Sequence, residues 1–210
     1  MAELGLGAPR AAAGYLLPAI GYFHRRCTML RTSRLSGSGV RAIALVAVLA
    51  AVTAVLTLVV RIPFAPTRGY FTLADVGVYF AAFAFGPVIG FVVGGLGTGL
   101  ADILGGYAHF AVWSFLIHGV QGLVAGWLGW RRGMIGLLAG WIVGGVIMVA
   151  GYFGIEYFLY GFGPAAAEAV TVNLPQVAIG GVIGVLLVLA VRRAYPGLEQ
   201  LAQPRTWRER

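Results

Sequence analysis

Gly69-Tyr70-Phe71-Thr72-Leu73-Ala74-Asp75, then Phe85-Gly86-Pro87, then Leu100-Ala101-Asp102-Ile103-Leu104-Gly105-Gly106-Tyr107: these three pieces, read in order, decide the fold. They spell a loop, a short apolar segment, a Gly-Pro break and a glycine-rich apolar segment, with a carboxylate near an end of each apolar segment. In a water-soluble chain such carboxylates are unremarkable. In a chain as apolar as this one they belong at the edge of a membrane, where an ionisable side chain marks a candidate functional site. The alternative is that both cap helix ends. Asp75 falls in the first turn of its expected helix, where a carboxylate offsets the helix dipole.

The rest of the composition agrees with a membrane setting. Of 210 residues 60% are apolar and only 10% charged, with 33 glycines. A soluble domain carries roughly 25% charged residues, so this chain cannot cover itself in water. The net charge of +8 could suggest nucleic acid, but the arginines are not gathered on one face. Arg25, Arg26, Arg31, Arg34 and Arg41 precede the first span, Arg131 and Arg132 follow the fourth, and Arg192 and Arg193 follow the last. That distribution follows the positive-inside rule, so the basicity reports topology and no nucleic-acid partner is expected. Cys27 is the only cysteine, which excludes an intrachain disulfide and a thiolate metal site.

Residues 1–39 hold one short apolar run, 11–20, broken by Gly14 and Pro18. It is too short to span a bilayer, and its arginines follow it, unlike those of a secretory signal. The segment reads as a poorly ordered cytoplasmic tail, within which Met29 has the setting of an ordinary start. Residues 193–210 read as a second cytoplasmic tail. Between them, residues 40–192 form an all-α bundle of six spans: 40–60, 73–85, 87–104, 110–130, 134–158 and 172–191. The second is too short to cross comfortably, which implies tilt or an extramembrane start. Gly161–Thr171 is expected to be a loop, on the strength of Gly163-Pro164. Gly86, Gly90 and Gly94 are spaced by four, as are Gly95 and Gly99, so this region should pack backbone against backbone. Ala47, Ala50, Ala51 and Ala54 form a small-residue stripe on the first span, suited equally to internal packing and to a second protein.

An even number of spans places both termini on one side, and arginine counting makes that side cytoplasmic. Arg61 and Arg68 fall outside, against the trend. They read as ordinary solvated loop arginines, with a structural task in the loop as the alternative.

Topology then sorts the unusual residues by depth. Asp75, Asp102, Tyr107, His109, Trp113, Glu156, Asn173 and Gln176 fall near the outer ends of their helices. His118 lies roughly 12 Å and Gln121 roughly 16 Å below the outer end of span four, at ~1.5 Å per residue. Ser114, His118 and Gln121 share a face by i, i+4, i+7 spacing, and Tyr152, Glu156 and Tyr160 make a similar stripe. The inner half is almost free of polar groups apart from the flanking arginines. A proton or ion pathway needs polar groups right across the membrane; these residues instead suggest an outward-opening pocket with an apolar floor. Aromatic walls (Phe71, Tyr107, Trp113, Tyr152) with a few polar groups suit a flat, polar-edged small molecule, although an interfacial aromatic belt explains some of the rings.

Catalysis has little support. The histidines lack His-Glu-x-x-His spacing, and no Gly-x-Ser-x-Gly elbow is present. The chain has no lysine and no P-loop, so no enzyme activity, metal or bound cofactor is expected. Any active transport must draw its energy from another polypeptide or a gradient.

Together with Val88-Ile89-Gly90 and Ile117-His118-Gly119-Val120-Gln121-Gly122, the three opening pieces resemble the substrate-binding S component of an energy-coupling factor (ECF) vitamin transporter, over residues 40–192. It is similar to the branch often labelled riboflavin or hydroxymethylpyrimidine transporters. The resemblance implies a monomeric six-helix bundle that binds a vitamin at the outer face, beneath the loop after helix one. It also implies docking on a transmembrane T component driven by two cytoplasmic ATPases, which use the ATP, and it assigns the alanine stripe to that docking. Where such relatives often have Lys then Glu in the fourth helix, this chain has His118 and Gln121, which puts the ligand preference in question. A stand-alone secondary transporter or channel is the competing reading, and it requires polar groups in the inner half.

Overall fold

The computed structural model describes residues 37–198. The first 36 residues, with the apolar run 11–20, Cys27 and Met29, lie outside the described residues, as do 199–210. The order of elements is α1 (Gly37–Val59), β1 (Ile62–Phe64), β2 (Gly69–Phe71), α2 (Ala74–Phe85), α3 (Pro87–Leu104), α4 (Ala111–Gly129), α5 (Met134–Tyr160), α6 (Phe162–Glu168), a π-helical turn (Ala169–Asn173) and α7 (Leu174–Ala194). Five stretches are long and apolar enough to cross a membrane: Gly39–Val59, Pro87–Leu104, Ala111–Gly129, Met134–Tyr160 and Phe162–Ala194; α2 is a shorter apolar helix.

The short helix occupies the centre. Every residue of α2 except Phe80 is buried, and it packs against α1, α3, α4 and α7. At ~1.5 Å per residue it is far shorter than a ~30 Å hydrocarbon core. Its polar backbone ends are met inside the protein: Thr72 Oγ1 accepts from the Ala74 amide at 2.9 Å, and Arg192 donates to the Phe83 carbonyl at 2.8 Å. Tyr79 and Phe83 stack at 5.6 Å at the heart of the core with Ala125, Leu137, Val185 and Val188. Gly86 ends the helix at φ 98°, where a Cβ would also strike the Trp130 ring, and Pro87 opens α3 at a position that needs no N–H.

Helices α3 and α4 make the most extensive pairing in the bundle. A Cβ on Gly90 would lie 2.6 Å from the Gly122 carbonyl oxygen, and one on Gly94 would lie 2.5 Å from that of His118. The four-residue glycine spacing thus brings two backbones together, as small residues do between helices in lipid. Thr98 Oγ1 fastens the pair by donating to backbone carbonyls of its own helix (Gly94, 2.8 Å) and of α4 (Ser114, 3.1 Å).

Three expectations need correction. The fold is not purely α: residues 61–72 contain an antiparallel hairpin, Ile62 opposite Phe71 and Phe64 opposite Gly69. Gly161–Thr171 is helix rather than loop. Gly161, at φ 85°, absorbs the whole reversal, and Pro164 stands in the first turn of α6, where its missing N–H has no helical acceptor. The chain then runs through the π-helical turn, in which the Leu174 amide bonds Ala169, directly into α7; the wider turn precedes Pro175, which supplies no N–H. Third, Arg61 is not a solvated loop arginine. It donates to the Gly105 carbonyl at 2.8 Å and lies over the rings of Tyr70 and Tyr107, at 4.8 and 5.0 Å. Arg68 is exposed.

Candidate functional site

Between residues 37 and 198 the chain has four acidic side chains, Asp75, Asp102, Glu156 and Glu168. All four are at most 2% exposed, and all are at the end of the bundle that carries the hairpin. There a cavity of about 30 Å³ is lined by the hairpin, the π-helical turn and all seven α-helices, α2 and α7 through Ala74 and Gln176. Its polar lining comes from Thr57, Tyr70, Thr72, Thr98, Ser114, His118, Tyr152, Glu156, Glu168, Asn173 and Gln176, and its apolar lining from Ala74, Phe110 and Met148.

Beneath the cavity lies a network centred on Asp75. Its carboxylate accepts from Gln121 Nε2 and, at 2.7 Å, from Gln176 Nε2. Those two bonds fix the orientation of both amides. The Gln176 oxygen then accepts from the Thr72 amide at 2.8 Å, which pins the hairpin's exit to α7. The Gln121 oxygen faces His118 Nδ1 at 2.7 Å. An amide oxygen only accepts, so Nδ1 carries the proton, and in the neutral ring Nε2 is left as an acceptor. One carboxylate therefore sets the polarity of a chain of groups ending at the cavity wall. On the same side Ser114 Oγ and the Tyr152 hydroxyl are 2.7 Å apart, and the Tyr152 ring meets His118 edge-on at 5.7 Å.

The hairpin covers the cavity and is held by a second cluster. The Tyr70 hydroxyl donates to Asp102 Oδ1. Burial, reinforced by the negative charge of Asp102, holds the Tyr70 phenol well above its ordinary range, so it remains a donor. Tyr70 packs on Tyr107 at 4.4 Å, and the Arg61 guanidinium sits against both rings. Gly69 lets β2 approach Glu168: a Cβ there would overlap that carboxyl group.

The ten residues expected at a pocket divide by depth. His118, Glu156, Asn173 and Gln176 line the cavity. Asp75 and Gln121 stand directly behind it, and Asp102 reaches it through Tyr70. Tyr107 belongs to the clamp on the hairpin. His109 is exposed and stacks on Tyr107 and Phe110. Trp113 is 39% exposed and is not among the residues that line the cavity. Ser114 and Tyr152 shared the polar stripes but were not among the ten. Tyr70, Thr57, Thr72, Thr98 and Glu168 were missed. For Glu168 the signal was present, an acidic residue in an apolar run, but Gly163-Pro164 argued for a loop. In the alanine stripe, Ala50 and Ala54 are buried within the chain's own bundle, and Ala47 and Ala51 are exposed.

Residues 38–193 match the family described as ECF-type riboflavin transporter, S component. A thiamine precursor transporter, HmpT, of Lactococcus lactis subsp. cremoris is 32% identical over 165 residues, covering 76% of this chain and 92% of that protein. An uncharacterized protein from the gap 3′ region of Pyrococcus woesei is 38% identical over 137 residues, 63% of this chain and 92% of that one. Among solved structures, FolT bound with folic acid aligns with a TM-score of 0.49 at 20% identity, over 70% of this chain and 92% of that chain.

Proposed function

This chain belongs to the S components of ECF-type riboflavin transporters, and we propose that it binds a vitamin or vitamin precursor at the outer face of a prokaryotic plasma membrane. The ligand is riboflavin-, pyrimidine- or thiamine-like, and it is delivered inward with a transmembrane T component and two cytoplasmic ATPases. This chain holds no cofactor of its own, and ATP is spent by the partners. The observation that carries the reading is the segregation of polar groups. All four buried carboxylates of the described residues lie at the hairpin end, around a cavity with aromatic and amide walls. The opposite end is apolar core below Tyr79 and Phe83. A binding subunit needs one such end, whereas a self-sufficient channel needs a polar path through.

In this reading α2 counts as the sixth crossing, both termini are cytoplasmic, and the site opens outward, because Arg41, Arg131, Arg132, Arg192 and Arg193 flank the other end. His118, Glu156, Asn173 and Gln176 contact the ligand. Asp75, Gln121 and Asp102 hold them and the hairpin in place, while Tyr107, His109 and Trp113 form the rim. A cavity of about 30 Å³ is far below the ~300–1,000 Å³ of ordinary small-molecule sites, so the ligand enters by displacing the hairpin.

Topology is testable by labelling in intact cells. In a Cys27→Ser background, Ala65→Cys on the exposed hairpin should react with a membrane-impermeant maleimide, and Gly133→Cys only after lysis; the reverse pattern would turn the protein over. Docking is testable on the two exposed alanines. Ala47→Leu and Ala51→Leu should leave ligand binding intact and weaken co-purification with the T component, because helices that approach through small residues are held apart by larger ones. Ala47 also borders an apolar groove of about 620 Å³, with Ile43, Val46, Phe85, Val88 and Trp130. Unchanged co-purification in both variants would remove this face from the docking surface. The function itself is tested by ligand binding to the purified chain without any ATPase. Saturable, one-to-one binding of a vitamin-class molecule is expected, and its absence for every such molecule would refute the assignment.

A further inference from the structure

Ionised carboxyl groups accept hydrogen bonds and cannot donate them. Glu156, in the last turns of α5, and Glu168, the last residue of α6, nevertheless hydrogen-bond to each other. Asn173 of the π-helical turn bonds Glu156 as well. A bond between two carboxyl groups exists only with a proton between them. Both residues line the hairpin-covered cavity, at 0% and 2% exposure. At that depth two negative charges side by side would repel strongly.

Nothing else on the cavity wall takes over the task of that proton. None of the lining residues is Arg or Lys. The titratable groups that face the pair are Tyr70 from the hairpin, His118 from α4 and Tyr152 from α5, while α1, α2, α3 and α7 present only threonine, alanine and amide side chains. Of the other two buried carboxyl groups, Asp75 is held by Gln121 and Gln176, and Asp102 by Tyr70. The position of the pair decides what its proton controls. Glu168 lies so close to Gly69 that a Cβ there would overlap its carboxyl group. A Glu168 side chain pushed off Glu156 therefore meets the backbone of the hairpin.

We propose that Glu156 and Glu168 share one proton and form a pH-sensitive latch beneath the hairpin. With the proton in place, Glu168 stays bonded to Glu156 and packed against Gly69, and the cover is closed. When the proton leaves to a base in solvent, two adjacent carboxylates repel, Glu168 swings outward and the hairpin lifts from the cavity. The two residues titrate as one unit, so the cover opens in a single step as the pH rises, and acidification leaves it shut. The Tyr70 phenol, held well above its ordinary range, keeps its bond to Asp102 and does not open the cover in the same step. The latch belongs to the chain without ligand, so its failure would leave the vitamin-binding function standing.

The test uses the full chain in lipid nanodiscs, in a Cys27→Ser background. Nitroxide labels are placed at Ala65→Cys on the exposed hairpin turn and at Gly133→Cys, between α4 and α5. Neither label titrates, and pulsed electron spin resonance reads the distance between them over a pH series. With both glutamates present, a second, longer distance should appear as the pH rises, and the open-to-closed ratio should grow about tenfold or more across the series, because adjacent buried charges repel. Glu168→Gln supplies an amide N–H where the proton was, so it keeps the bond at every pH, and its ratio should change about twofold or less. Glu156→Gln serves as a second variant with the same expectation. Infrared spectra of wild-type chain carrying ¹³C-carboxyl glutamate should show a protonated carboxylic acid band that fades in step with opening. A distance distribution that ignores pH, or an opening that persists equally in both glutamine variants, would overturn the proposal. So would the absence of a protonated glutamate band from the closed wild type, a measurement that decides the question even where a variant fails to fold.

Discussion

Asp75→Ala is expected to reduce ligand affinity by about 100-fold or more and to destabilise the bundle by about 3 kcal/mol, since two hydrogen bonds to a charged group, each worth about 1.5–3 kcal/mol, disappear together. The residue need not touch ligand for this to happen. It is fully buried and holds the amides of Gln121 and Gln176, and through them the His118 ring and the Thr72 amide. Asp75→Asn is more informative. Asparagine keeps one acceptor and replaces the other with an N–H₂ group, which cannot accept from a glutamine N–H. If Gln121 turns over, its N–H₂ meets His118 Nδ1, which must then accept, and the ring proton moves to Nε2 at the cavity wall. Histidine ¹⁵N shifts in labelled protein should show that change of tautomer, with folding largely retained and ligand preference altered. An unmoved tautomer together with wild-type affinity would show that the network is structural only.

The second large effect concerns the cover. Tyr70→Phe removes the donor to the buried Asp102 carboxylate and keeps the ring against Tyr107 and Arg61. An unmatched buried acceptor costs about 1–3 kcal/mol, and here the cost falls on the closed position of the hairpin. Ligand release should accelerate about tenfold or more in stopped-flow measurements, with a smaller change in the rate of capture. Arg61→Ala acts on the same clamp, where its guanidinium joins the two tyrosine rings to the Gly105 carbonyl. Because both belong to one cluster, the double variant should fall short of the sum of the two. Additive effects would mean that Arg61 and Tyr70 hold the hairpin independently.

Much of this was legible in the sequence, for reasons that can be located. Glycines spaced by four in 86–94 announce helices packed backbone to backbone, and the contacts of Gly90 and Gly94 are of that kind. The i, i+4, i+7 run Ser114, His118, Gln121 is legible because polar residues in an apolar helix must share a sheltered face, and all three are buried. What was hidden depends on partners distant in the chain. Tyr70 and Arg61 look like loop residues until the end of α3 and the turn after it bring Asp102, Gly105 and Tyr107 against them. Glu168 was obscured by local chemistry, because Gly163-Pro164 usually breaks a chain and here only begins a helix. Trp113 is the converse case: a tryptophan at a helix end serves the membrane interface as readily as a pocket, and the residue is 39% exposed.

Whether the hairpin-covered cavity is the binding site of a vitamin-class molecule is decided by native mass spectrometry of the full chain purified gently from its host. The wild type should carry a single small-molecule adduct of one-to-one stoichiometry, lost or strongly reduced in both Glu156→Gln and Asp75→Ala at matched protein integrity. A wild type free of adduct even after incubation with vitamin-class molecules, or an adduct retained equally by both variants, would contradict it.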